Sequence, residues 1–126
     1  MADNNVEIDL SDLIENPSEA LDTELKRWLD LDELIVKAKL ARHIAALANH
    51  GGGYIVFGFK DDGSRDTNRP PSLEKYNQDT FSAIIKKHLT PVFQCQVSIV
   101  DAKDGEQFPV VRIPGHGSVP IVAKKS

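Results

Sequence analysis

The sequence has 126 residues, 40% of them hydrophobic, which suits one folded domain with a real core. Its single cysteine, Cys95, excludes an internal disulfide and a cysteine-rich zinc site, and no run approaches the roughly 18 apolar residues of a membrane span, so a soluble, cytoplasmic protein without a membrane partner is expected. The net charge is −4, but residues 1–33 carry eleven acids against Lys26 and Arg27, a balance of −9, while residues 34–126 stand at +5, so a polyanionic partner is not excluded.

Residues 1–16 are polar and acidic, with scattered apolar positions at Val6, Ile8, Leu10, Leu13 and Ile14. They read as a loose arm carrying one helical turn, ended by Pro17. "SEALDTELKRWLDLDE" from Ser18 is ambiguous: alternation at Leu21, Thr23 and Leu25 permits a strand, and "ELKRWL" permits a helix. Residues 32–48 are the clearest helix. Val36, Leu40, Ile44 and Leu47 form one apolar stripe, Asp32 can cap the start, and Asn49 and Gly51 suit its stop. Tyr54 to Phe59 is almost continuously apolar and reads as a strand buried on both faces. "KDDG" is a turn, and residues 64–75 with Arg69-Pro70-Pro71 are a loop. Phe81, Ile84, Ile85 and Leu89 predict a second helix over 77–89, stopped at Thr90-Pro91. "VFQCQVSIV" and "FPVVRI" predict a hairpin, and "VPIVA" a last short strand. The expected fold class is α+β (mixed α/β), a single domain with one mainly antiparallel sheet packed by two helices.

The stretch "NHGGGYIVFGF" (Asn49 to Phe59) poses the question of a phosphate loop. Such loops place glycines after a strand and before a helix, closed by Lys and Ser or Thr. Here the order is helix, glycines, strand, with no closing "GK[ST]". Gly51 to Gly53 are therefore read as a tight turn, and Gly58 as a point of close backbone approach.

Glu19, then Glu24-Leu25-Lys26, then "AALANHGGG" and "YIVFGFKDDG", resemble the Schlafen-type AlbA-like domain, and "FPVVRIPGHGSVPIV" is similar to that family's hairpin strand and the proline-containing segment after it. The likeness covers roughly residues 17–123. It implies an acidic N-terminal arm at 1–16 and an AlbA-like domain at 17–126. Relatives usually continue further, which implies either a truncated C-terminal end in a longer protein with further domains or a minimal form. It also implies nucleic-acid binding, to DNA or RNA, as a regulatory or targeting module. In a paired form the family carries a metal-dependent endoribonuclease. Carried over, its carboxylates are Glu19, Glu24 and Asp61 or Asp62, holding Mg or Mn, and one copy would have to form a homodimer. A spacing of five sets Glu19 and Glu24 on different sides of a regular helix or strand, so both meet one metal only across a bend.

Lys26, Arg27, Lys37, Arg42, Lys86 and Lys87 are the candidate phosphate contacts. Cys95 reads as core. Trp28, after Lys26-Arg27, could stack on a base but suits core cover better. His43 and His88 lack metal spacing. A protein-interaction module, with the acidic arm docked on a basic surface, is the third reading.

Overall fold

The computed structural model describes residues 9–20, 22–117 and 119–124. The expectations for Val6, Ile8 and Leu21 lie outside the described residues. The apolar stripe of the long helix is realised as α2 (Leu34–Asn49), which buries Leu40, Ala41, Ile44, Ala45, Leu47 and Ala48. Asp32 is not its cap. The N-cap is Glu33, which makes no side-chain cap bond, and Asp32 instead pairs with Lys75 at 3.1 Å. A short helix, α1 (Leu10–Glu15), is capped by Asp9, and α3 (Gln78–His88) is capped by Asn77.

The ambiguous stretch after Ser18 contains β1 (Thr23–Lys26). β2 (Gly52–Phe57) begins two residues earlier and ends two residues earlier than the apolar run suggested. β3 (Leu89–Thr90), β4 (Gln96–Asp101), β5 (Gln107–Pro114) and β6 (Val122–Ala123) follow. The main sheet has the order β1-β2-β5-β4. β1 runs parallel to β2, with α2 as the connection, and the other two pairings are antiparallel. β3 and β6 form a separate two-stranded sheet. The mainly antiparallel mixed sheet matches the expected class, with a third helix and a second small sheet added.

Alternation along β2 and β5 divides the core in two. Ile55, Phe57, Val111 and Ile113 face α2 and α3, where they meet Leu40, Ile44, Phe81, Ile84 and Ile85. Val56, Val110 and Phe108 face the other way, against Ile14 of α1, Leu25 and Phe59. Both faces of β2 are therefore covered, which is why its sequence lacks polar alternation. Burying each such large side chain contributes about 1.5–3 kcal/mol before entropy is counted. The acidic arm thus supplies a core helix: Ile14 is 2% exposed.

Gly52 is fixed by backbone crowding. A Cβ on Gly52 would lie 2.6 Å from the Gly115 nitrogen, and its φ is +94°. Gly58 differs from expectation. It follows the strand, has φ +100°, and its crowding comes from side chains: Trp28 at 2.6 Å and Phe108 at 2.7 Å from a built Cβ. Beyond the glycines, the Asn49 side chain donates from Nδ2 to the Ile121 carbonyl (2.9 Å) and accepts the Ile121 N–H at Oδ1 (2.8 Å). That clamp ties the end of α2 to the approach to β6.

Candidate nucleic-acid interface

The bend required between Glu19 and Glu24 exists. Ala20 and Thr23 exchange backbone hydrogen bonds, with Ala20 N–H to Thr23 O at 3.1 Å and Thr23 N–H to Ala20 O at 3.3 Å. The chain reverses there, so Glu19 returns along the outer edge of β1. Its Oε2 accepts the Leu25 N–H at 3.4 Å. An unpaired strand edge is a template for unwanted pairing, and Glu19 covers part of this one. That contact gives Glu19 a structural role.

Glu24 stands on β1 opposite Ile55. Its Oε2 is 3.4 Å from Lys26 Nζ and 3.8 Å from His43 Nδ1 of α2. The latter distance is too long for a hydrogen bond, and His43 Nδ1 is buried without a partner. Burial first, then the nearby Lys26 charge, holds His43 below its ordinary pKa, with Glu24 opposing and Arg42 adding to the fall. At neutral pH the Glu24–His43 contact is therefore not an ion pair. Lys26 and Arg42 both act on one imidazole, which places these two candidate cations together at the junction of β1 and α2.

Asp61 and Asp62 are exposed on the turn after β2, where Gly63 N–H bonds to Lys60 O. The turn abuts Pro17, whose carbonyl lies 2.6 Å from a Cβ built on Gly63. The Asp62 carboxylate is occupied by Ser64, accepting its N–H at 2.9 Å and its hydroxyl at 2.6 Å, and these bonds lower its pKa. Among the described residues, no three His, Cys, Asp or Glu side chains converge as a metal site would require.

The cations fall into two groups. Arg27 is exposed just beyond β1, near Lys26, and Arg42 lies on the outer side of α2. Lys37 of α2 and Lys87 of α3 line a cleft of about 240 Å³ together with Lys75, Thr80, Ala83, Ile84 and His88, closed by Leu31 and Asp32. Lys86 is exposed in the last turn of α3, and its carbonyl accepts from Lys124 Nζ at 2.6 Å. Trp28 is not a free stacking platform. It packs on Tyr76 and Phe108, its Nε1–H donates to the Asp66 carbonyl at 2.9 Å, and the Arg69 guanidinium sits 4.7 Å over it. Cys95 is buried, and burial raises its thiol pKa, so it is core and not a nucleophile.

Sequence reasoning missed Asp66, Arg65, Arg69 and Lys75. Asp66 is buried and accepts the Trp28 and Asn68 N–H groups. Arg65 pairs with Asp104 at 2.6 Å and Glu106 at 2.7 Å. These are contacts between distant segments, and no local spacing marks them.

The architecture is that of a single mixed α/β domain with a sheet covered on both faces. Residues 19–125 match the family described as Schlafen, AlbA_2, and the chain belongs to that family. The solution NMR structure of the N-terminal domain of an ATP-dependent DNA helicase RecG-related protein from Nitrosomonas europaea is similar in fold: TM-score 0.60, 22% identity, covering 93% of this chain and 79% of that one. No curated protein matches the chain. No helix among the described residues is long and apolar enough to cross a membrane.

Proposed function

We propose that this domain binds nucleic acid, as a regulatory or targeting module of a longer protein. One observation carries the reading: five of the six candidate cations make no ion pair among the described residues, Lys26 alone meeting an acid, Glu24, while several acids of the first third are engaged. Asp9 caps α1, Asp12 accepts from Asn16, Glu15 accepts the Lys103 N–H, Glu19 accepts the Leu25 N–H, and Asp32 pairs with Lys75. Among the described residues, Arg27, Lys37, Arg42, Lys86 and Lys87 make no ion pair. These five cations lie on α2, α3 and the end of β1, where they are free to meet phosphates. Membership of the Schlafen AlbA_2 family supports the same reading, as does the fold shared with a domain of a helicase-related protein.

The test is fluorescence anisotropy with labelled RNA and DNA over a salt series. If about four phosphates are contacted, log affinity falls against log salt with a slope near −3 to −4. Arg42→Glu with Lys87→Glu reduces both affinity and slope. Affinity that ignores salt between about 50 and 200 mM overturns the proposal.

A metal-dependent endoribonuclease is the second reading. The observation in its favour is the Ala20–Thr23 reversal, which brings Glu19 back beside Glu24-Leu25. End-labelled structured RNA incubated with Mn²⁺ or with EDTA decides it. Cleavage that needs metal and is lost in Glu24→Ala establishes it, and intact RNA in every lane ends it.

A further inference from the structure

We propose that the cleft between α2 and α3 is a phosphate-monoester site that receives the terminal phosphate of the bound nucleic acid. The proposal rests on the nucleic-acid reading and deepens it. A cleft of about 240 Å³ has room for on the order of eight waters, enough for a phosphate group and a few waters. Its lining comes from three segments: Leu31 and Asp32 before α2, Lys37 on α2, and Lys75 with the α3 residues Thr80, Lys87 and His88. A shallow surface suits a strand passing by, whereas a recess between two helices suits an end.

Its polar groups point to an anion. The one lining acid, Asp32, is matched by Lys75 at 3.1 Å, and the fields of Glu74 and Asp30 also fall on Lys75. Lys37 and Lys87 are left without an ion pair among the described residues, and both bear on His88. The His88 Nε2 is buried and makes no hydrogen bond. A buried polar atom left unpaired is costly and marks a place where a partner is missing. A turn of the ring would bring the Nε2–H into the cleft, where it would donate to a phosphate oxygen beside two ammonium groups. The Thr80 hydroxyl adds a further donor, since only its backbone N–H is engaged, with Asn77. The α3 C-terminus opposes an anion by its dipole. Two lysines outweigh that half-charge.

The experiment compares one single-stranded oligonucleotide carrying a 5′-phosphate, a 3′-phosphate or hydroxyls at both ends, by anisotropy at fixed salt. A terminal phosphate is expected to tighten binding about tenfold, the contribution of one charged hydrogen bond. In His88→Gln the phosphorylated-to-hydroxyl ratio falls to about one, while hydroxyl-ended binding changes less than threefold. A ratio of one in the parent protein overturns the proposal. Titration with inorganic phosphate, read by the NMR signals of the His88 ring, separates the two layers. Ring shifts without any oligonucleotide binding would retain the phosphate site but transfer it to a free small ligand, overturning both the terminal-phosphate assignment and the nucleic-acid reading. Oligonucleotide binding with no phosphate preference and no His88 shift would overturn the cleft alone.

Discussion

Asn49→Ala tests the clamp that joins α2 to the C-terminal segment. In the wild type, the Asn49 side chain satisfies both the N–H and the C=O of Ile121, at 2.8 and 2.9 Å. Ile121 is 2% exposed and belongs to the main core. Alanine leaves both polar groups of that peptide segment without a partner, at about 1–3 kcal/mol each when fully buried. Asn49 itself reaches solvent, so water recovers part of the loss, and a total of about 2–4 kcal/mol is expected. With a urea m-value near 2 kcal/mol/M, the unfolding midpoint falls by about 1–2 M. Asn49→Asp separates hydrogen bonding from packing. It keeps the acceptor for the Ile121 N–H but sets an oxygen against the Ile121 carbonyl, so it costs as much as alanine or more. A loss below about 0.5 kcal/mol in the alanine variant, or an aspartate variant as stable as wild type, would refute the argument.

Glu24→Gln removes the acid beside Lys26 and is expected to strengthen nucleic-acid binding two- to fivefold, the scale of an exposed ion pair, with an unchanged melting temperature; weaker binding in anisotropy would contradict it. His43 and His88 both titrate below their ordinary value of 6.5 in the folded chain. Their contribution to stability is therefore complete above about pH 6.5 and is lost as pH falls through the folded pKa values. Urea midpoints at pH 7.5 and 5.5 should differ, and His43→Gln with His88→Gln should narrow the gap. Gly52→Ala meets immovable backbone at Gly115 and Ile113, whereas Gly51→Ala, with φ +99° and open space around it, costs only about 1–2 kcal/mol of left-handed strain. Thermal melts should rank Gly52→Ala as clearly the worse. At the β4 edge, the Gln78 side chain donates to Cys95 O at 2.6 Å and accepts the Val97 N–H at 3.0 Å, which stands in for a neighbouring strand. Gln78→Ala combined with Glu15→Ala is expected to raise self-association in light scattering, because both ends of that edge lose their cover.

The parts of the fold that were legible are those where one segment carries its own signal. The stripe of α2, the apolar spacing of α3, and the β4–β5 hairpin all repeat over enough residues to average out accidents. α1 has six residues and β1 has four, too few for any period to rise above composition, and the strand edge at Thr23 is defined by a turn partner more than by propensity. Asp32 looked like a cap because type and position agreed, but Lys75, 43 positions away, takes its carboxylate. At the candidate site, the Glu19–Glu24 spacing resisted both regular periods because the chain reverses between them. The closeness of Glu24 and His43 depends on α2 lying beside β1, and the joining of Lys37 with Lys87 on α3 packing against α2. No spacing along the chain encodes either juxtaposition.

β5 occupies the centre of the sheet, bonded to β2 on one side and β4 on the other, yet it is the last of the sheet's four strands to be synthesised. Until Gln107–Pro114 emerges, the β1–α2–β2 unit and the β4 strand have no common partner, and the apolar side chains of Ile55 and Val56 lack the strand that flanks them. Sheet closure is therefore a late, single event in synthesis, dominated by contacts distant in sequence, a topology that folds more slowly than a helical bundle of equal length. A nascent chain stalled before β5 presents its most apolar strand to whatever chaperone is nearest, and one stalled after it does not.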